Sequence, residues 1–223
     1  MSIKTRDIAS TSHPIEAAQR LPTLMLAIGL SLGSAIALGL ARFAYALLLP
    51  SMKLDLGWSF AEAGAMNTAN ALGYLLGALA FPQLARRWPP GVLFGAGCAV
   101  TALLMAISGL LADTHSLLAL RVITGVSSAA IFISGGLLAA RLASARPHEA
   151  GLVLGLYYGG TGWGIVASSV LVPLTIVDAV HGWQFAWFAL AAACAAFAAI
   201  AVGAARKIDK VHAPGSSAAH AAD

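Results

Sequence analysis

Charged side chains are scarce in this sequence. Asp, Glu, Lys and Arg together make up 10% of the 223 residues, while hydrophobic residues make up 59%. A soluble globular domain carries roughly a quarter charged residues, so this composition excludes an ordinary soluble domain. The mean hydropathy of +0.83 agrees with that exclusion. The composition therefore indicates an integral membrane protein.

Cysteine and histidine are almost absent from the apolar runs. Cys98 and Cys194 are the two cysteines, and since neither belongs to a CxxC pair, we interpret both as small buried apolar residues. An intramembrane enzyme with Ser134 as nucleophile would need a histidine base inside the membrane. All six histidines lie in loops, helix ends or tails: His13, His115, His148, His181, His212 and His220. These positions disfavour the enzyme alternative, and we expect no catalytic residue, no metal and no other cofactor.

Basic residues are confined to a few places. Ten of the thirteen fall in four short clusters: Lys4, Arg6 and Arg20; Arg86 and Arg87; Arg141 and Arg146; Arg206, Lys207 and Lys210. Apolar stretches separate these clusters, and every second junction carries almost no basic residue. Cytoplasmic loops of membrane proteins hold the excess of Lys and Arg, so this alternation predicts that both termini are cytoplasmic. Because the basic residues lie at span ends without interleaved aromatic residues, we expect no nucleic-acid partner.

Six apolar stretches have the roughly 20 residues that a helix needs to cross a bilayer. They cover residues 23–49, 60–79, 92–111, 117–140, 151–171 and 183–202. The pattern predicts an all-α integral membrane protein with one six-helix domain over residues 23–205. A cytoplasmic N-terminal segment, residues 1–22, precedes that domain. The cytoplasmic tail, residues 206–223, has little apolar surface to bury and is predicted to be disordered.

Local signals mark several helix ends. Pro50 is expected to end the first span, and Ser59 followed by Glu62 predicts a capping box at the start of the second. Pro147 is expected in the first turn of the fifth helix, which would begin near His148. Four tryptophans lie near predicted membrane interfaces, where indole rings anchor helices: Trp58, Trp88, Trp183 and Trp187.

Small residues repeat every four positions on the fifth span. One row contains Gly151, Gly155 and Gly159, and a second contains Gly160, Gly164 and Ser168. Helices in lipid associate by close approach over small residues. Two such rows predict contacts on two sides of this helix and place it in the bundle interior.

Polar side chains inside the predicted spans are candidates for lining a cavity, because they are costly in lipid. Arg42 and Arg121 are the two basic ones, and snorkelling to the outer headgroups is the alternative for each. Asn67, Asn70 and Tyr74 share one face of the second span, where helix–helix hydrogen bonds are the alternative.

Further candidates are aromatic or hydroxyl residues near these positions. Tyr45 follows Arg42 by three residues and is expected to share its face. The fifth span adds Tyr157, Tyr158 and Thr161, and an exposed face at the membrane boundary is the alternative for the two tyrosines. No Asp or Glu lies in the middle of any predicted span, so no carboxylate is available there for proton coupling. Two cations without an acidic partner favour an anionic or strongly polar substrate.

Several segments resemble one family. The stretch ARFAYALLLP, residues 41–50, and MNTANALGYLLG, residues 66–77, are similar to the major facilitator superfamily, and within it to the YbfB/YjiJ-like transporters. RVITG, residues 121–125, resembles the RxxxG motif of the superfamily's fourth span. HGWQFAW, residues 181–187, resembles its entry into the sixth span. The resemblance covers residues 20–205.

The resemblance implies a secondary transporter of the cell inner membrane, and the two cations described above favour a small polar or anionic solute. Members of the superfamily have about twelve spans in two six-helix halves, with the substrate bound between the halves. This chain is similar to the amino-terminal half, so a second half, from the same or another chain, is the expected partner beside the lipid bilayer. A six-span remnant without transport, or a module that pairs with another polypeptide, is the alternative.

Two loops depart from the family pattern. Residues 84–90, LARRWPP, keep the Arg pair of the second-to-third loop but lack its Asp and Gly. Residues 159–164, GGTGWG, keep the glycines of the fifth-span motif without its Pro. Neither segment therefore supports a gating or antiport role.

Overall fold

The computed structural model describes residues 12–211, and all regular structure in this range is helical. Helix α1, Ser12–Ser34, continues without a break into a π-helical segment, Ala35–Phe43, and then into α2, Ala44–Asp55. The other helices are α3, Phe60–Ala85; α4, Pro90–Ser108; α5, Thr114–Ser144; α6, Ala150–Thr175; and α7, Gln184–Val211. A short 3₁₀ turn, Pro147–Glu149, precedes α6.

The two terminal segments differ from the expected boundaries. Helix α1 begins at Ser12, inside the segment predicted to precede the domain, and α7 continues through residues 206–211, the first part of the predicted tail. Arg and Lys are good helix formers, so the basic end of α7 does not interrupt it. The predicted disorder of residues 212–223 lies outside the described residues.

Helix starts follow the local sequence closely. The capping box is confirmed: Glu62 N donates to Ser59 Oγ at 3.2 Å, and Ser59 N donates to Glu62 Oε2 at 2.8 Å. Asp113 caps α5 by accepting from Ser116 N at 2.8 Å. That hydrogen bond holds the pKa of the Asp113 carboxyl below its usual value.

Pro50 does not end the first span. It lies inside α2, and the continuous helix reaches Asp55 before Gly57, at φ +65°, turns the chain toward α3. Proline removes one backbone donor but leaves the helix intact where neighbouring helices and local π geometry compensate, as membrane helices often allow. Pro147 starts a 3₁₀ turn, and α6 itself begins at Ala150, two residues beyond the expected start.

Four continuous helical segments of the described range are long and apolar enough to cross a membrane. They are Pro22–Asp55, Pro90–Ser108, Thr114–Ser144 and Gln184–Asp209. Helices α3 and α6 have 26 residues each, a length of about 39 Å at the usual rise, but their hydropathy is lower. The amides of α3 and the glycines and tyrosines of α6 cause that difference from the six expected spans. Large apolar side chains are exposed around the bundle, as contact with lipid requires.

The helices pack in a pattern that relates the first three long helices to the last three. The helix formed by α1 and the π segment crosses α6, α5 crosses α3, and α4 packs against α7. Both of the first two crossings are built on glycine. A Cβ at Gly164 would lie 2.3 Å from Ala35 O, and one at Gly73 would lie 1.9 Å from Val122 O.

Only one of the two glycine rows of α6 meets another helix in the described part of the chain, so the expected contact through the other row is not found there. The row containing Gly160 and Gly164 lies against α1 and the π segment, whereas a Cβ at Gly151, Gly155 or Gly159 would meet no atom within 4 Å. That second row lines an open groove of about 490 Å³. A row of small residues indicates that close approach is possible, but not that the partner helix is present.

The tryptophans occupy two environments. Trp88 is 55% exposed, as an anchor at the membrane interface must be, whereas Trp183 and Trp187 are each 1% exposed and Trp58 is 4% exposed. Trp58 Nε1 donates to Thr114 Oγ1 at 2.8 Å and so connects the start of α3 to the start of α5. The buried tryptophans therefore hold helices together, and the interpretation as interfacial anchors was wrong for them.

Candidate functional site

Arg121 is buried where three parts of the chain meet. Its residue is 3% exposed, and Nη1 donates to Ala41 O of the π segment at 3.2 Å. The guanidinium carbon lies 4.7 Å from the ring centroid of Trp187 on α7 and 5.8 Å from that of Tyr45 on α2. The side chain therefore lies inside the bundle, and snorkelling to the outer headgroups does not describe it.

Arg121 has no acidic partner among the described residues. The ion pairs found there join other residues. Its Nη2 is buried without a hydrogen-bond partner, and so are Asn70 Oδ1, Thr124 Oγ1 and Trp187 Nε1 in its neighbourhood. Buried polar atoms are normally satisfied, and a permanent guanidinium charge in a low-dielectric interior needs a counter-charge or dipole. Among the described residues, these four polar atoms are therefore left without partners inside the bundle.

The polar face of α3 is divided by its crossing with α5. Asn70 is buried, and its Nδ2 donates to Arg121 O at 3.2 Å. It thus makes the helix–helix hydrogen bond that was its alternative role. Asn67, one turn earlier, is exposed, and Tyr74 is half-buried. The close contact between Gly73 and Gly125 draws α3 and α5 together and separates these environments.

A second set of residues forms an open surface, which we call the aromatic face: Arg42, Tyr74, Phe132 and Tyr158. The Arg42 guanidinium carbon lies 6.0 Å from the Tyr74 ring centroid, and the Tyr74 and Phe132 centroids are 6.5 Å apart. Phe132 and Tyr158 follow at 5.6 Å. Tyr158 is 50% exposed and the other three are half-buried. Cation–π attraction thus holds Arg42 at this surface.

The remaining candidates join helices. Tyr157 is fully buried, and its hydroxyl donates to Phe132 O at 2.7 Å. Thr161 Oγ1 and Ser34 Oγ are hydrogen-bonded at 2.8 Å. The Tyr45 hydroxyl donates to Ala63 O at 2.9 Å, while its ring faces Arg121. Arg42 contacts Tyr74 instead, so the expected sharing of a face between Tyr45 and Arg42 is replaced by two separate cation–aromatic pairs.

Sequence reasoning missed three features of the site. Phe132 carried no signal, since a lone aromatic residue in an apolar span looks like lipid-facing or core packing. Trp187 was interpreted as an anchor. The third is a cluster at the end of α2, where Asp55 accepts from Trp183 Nε1 at 2.6 Å and from His181 N at 3.2 Å, and also contacts the His181 ring. His181 has a φ of +56° in this turn.

The long apolar helices define a multi-pass membrane protein. Residues 34–223 match a family model described as "Uncharacterised MFS-type transporter YbfB". The chain therefore belongs to this family of major facilitator transporters. No curated protein matches the chain in sequence.

Proposed function

We propose that this chain forms a six-helix half of a major facilitator transporter and moves a small polar or anionic solute together with a second six-helix unit. The family identifies the chain as a transporter of the major facilitator kind. The solute class, the number of spans, the orientation and the need for a second unit are our inferences. The observation that carries the proposal is the buried, acid-free environment of Arg121.

The solute class follows from the charges at the site. Arg121 and Arg42 both have aromatic partners and no carboxylate partner among residues 22–209, whose side chains the structure describes. The planar guanidinium fork matches carboxylate and phosphate groups by paired hydrogen bonds, and Nη2 of Arg121 has a donor to spare. A small solute with an anionic or strongly polar group satisfies these donors, whereas a cationic solute would be repelled.

The six spans are inferred from length and packing together. Helices α3 and α6 are each as long as a membrane span, and each crosses a long apolar helix over glycine. The residues that lower their hydropathy include Tyr74 and Tyr158 of the aromatic face, the glycines of the two crossings and the glycine row of the open groove. An even number of crossings places both ends of the domain on the same side of the membrane. The basic clusters at those ends favour the cytoplasmic side of the cell inner membrane.

The second unit is inferred from two open surfaces. The aromatic face and the glycine row on α6 both lie on the outside of the six-helix bundle. Alternating access in this class of transporter requires one unit to rock against another around a central site. A second six-helix unit, from the same or another chain, would cover both surfaces. The alternative is a module that pairs with another polypeptide in the same way, but whose assembled complex moves no solute.

Cysteine labelling tests the orientation. Lys53→Cys is expected to react with a membrane-impermeant maleimide in intact cells, whereas Arg141→Cys and Lys207→Cys should react only after permeabilisation. Both native cysteines are fully buried, which keeps the background low. Equal reactivity of Lys53→Cys and Lys207→Cys from one side would contradict the topology.

Reconstitution tests the need for a second unit. The purified chain, when monomeric, is expected not to exchange radiolabelled phosphate, lactate or citrate across proteoliposome membranes, because a single unit has no partner surface to rock against. The control is the same preparation with its spans crosslinked into a stable dimer, or co-expressed with a second six-helix chain. Exchange by preparations that remain monomeric in detergent and in the membrane would refute the half-transporter reading.

A further inference from the structure

A cleft lined by arginines lies between one end of α4 and the end of α7, beside the connection from α3 to α4. We call it the basic cleft, and its volume is about 830 Å³. Its basic residues are Arg86, Arg87, Arg141 and Arg206, and its acidic residue is Asp209. Four positive charges less one negative charge leave a net charge of +3 in the cleft.

The acidic residue is already engaged within the protein. Asp209 Oδ1 accepts from Arg141 Nη1 at 2.8 Å, and Oδ2 accepts from Gly91 N at 3.3 Å. Arg86, Arg87 and Arg206 are exposed, and no ion pair joins them to any side chain described between residues 22 and 209. The cleft therefore retains three guanidinium groups to bind an anion.

The cleft also has an apolar floor. Val92, Gly95 and Ala96 of α4 and Val202 of α7 line it, and Trp88 lies at its rim. A Cβ at Gly95 would be 3.7 Å from Val202, so the absent side chain widens the floor. Trp88 is 55% exposed, in the position of an interfacial anchor. Charge at one end and apolar surface at the other match a molecule with a charged head and a hydrocarbon chain.

We propose that the basic cleft binds the phosphate headgroup of an anionic phospholipid, with an acyl chain against the apolar floor. Basic pockets between membrane helices are suited to such headgroups, because guanidinium groups pair with phosphate and the bilayer supplies the lipid at high local concentration. Free inorganic phosphate shares the headgroup chemistry but makes no use of the floor or of Trp88. This proposal depends on membrane insertion and not on the transported solute.

Native mass spectrometry tests the site. The purified chain is mixed with equal amounts of dioleoyl phosphatidylglycerol and dioleoyl phosphatidylcholine, and the ratio of the two bound lipids is measured. The wild type is expected to retain phosphatidylglycerol in preference, and Arg206→Gln to lower that preference about fivefold, the effect of one basic residue near an anionic surface. Lys207→Gln is the matched control, because Lys207 is exposed beside Arg206 but does not line the cleft. Equal losses in the two variants would overturn the proposal.

Two further measurements separate the lipid from its alternatives. The double variant Arg86→Gln/Arg87→Gln should lower the preference for phosphatidylglycerol about 25-fold. Both residues are exposed, so the unfolding temperature without lipid is expected to stay unchanged. Inorganic phosphate is expected to raise the unfolding temperature less than phosphatidylglycerol does at the same concentration. Stabilisation by inorganic phosphate with no preference for phosphatidylglycerol over phosphatidylcholine would overturn the assignment to lipid.

Discussion

Replacing Arg121 by lysine is expected to weaken the binding of small carboxylate or phosphate solutes about 10- to 100-fold. Lysine keeps the charge but loses the planar fork, and one charge-assisted hydrogen bond is worth about 1.5–3 kcal/mol. Calorimetric titration of lactate, citrate and phosphate into the purified protein measures the change. Lys207→Arg is the control, since it exchanges the same two side chains in the reverse direction at an exposed position outside the basic cleft. Unchanged affinity in Arg121→Lys for every solute that the wild type binds would contradict a binding role for Arg121.

Arg121→Met separates a binding role from a structural one. A buried charge with one hydrogen bond and no acidic partner contributes little to stability, and an apolar residue of similar size is often neutral or stabilising in its place. The variant is therefore expected to unfold at the wild-type temperature or above it, while solute binding is lost. A drop in stability together with retained binding would show that Arg121 serves the packing of α2, α5 and α7.

Alanine substitutions at the neighbouring residues Gly160 and Gly159 are expected to change the stability of the protein in opposite directions. A Cβ at Gly160 would lie 2.1 Å from Ser31 O and 2.9 Å from Ser31 Cβ, so α6 and α1 would have to move apart. Overpacking of this kind costs about 1–3 kcal/mol, and a clash with backbone belongs at the upper end. A Cβ at Gly159 would meet nothing within 4 Å, and alanine there gains up to about 1 kcal/mol of helix propensity.

Thermal unfolding in detergent, followed by the fluorescence of the buried tryptophans, measures both alanine variants. Gly160→Ala should lower the unfolding temperature clearly, and Gly159→Ala should leave it equal or raise it. Both variants replace glycine by alanine in the same helix, so helix propensity changes equally in the two. A difference in unfolding temperature therefore comes from the contacts of each site. An equal response would mean that the contact between α1 and α6 is not built on Gly160.

Much of the fold could be predicted because hydrocarbon imposes strict limits on sequence. Long apolar runs predicted helices in a membrane, and the grouping of arginines and lysines predicted where those runs end. Ser59 and Glu62 predicted a helix start that the structure confirms, since a capping box is completed within four residues. Arg121 could be singled out for the same local reason: a permanent charge inside an apolar run must be held by something.

Other features depend on residues that are distant along the chain, and periodicity holds no information about them. Two glycine rows on α6 look alike in sequence, yet one meets α1 and the other is open. Asn67 and Asn70 share a helical face, but the closeness of α3 to α5 buries only the second. Asp55 accepts hydrogen bonds from His181 and Trp183, which lie 126 and 128 residues further along the chain.

The sequence by itself determined the class of protein, the helical elements and the charged residues that demand partners, because each is set by local composition against lipid. The tertiary structure alone decided which partners those residues have. Arg121 contacts Ala41 O, Tyr45 and Trp187, and Arg42 contacts Tyr74. These contacts exist because two crossings over glycine set how closely the helices approach. Such distances arise from packing between helices, which no single segment encodes.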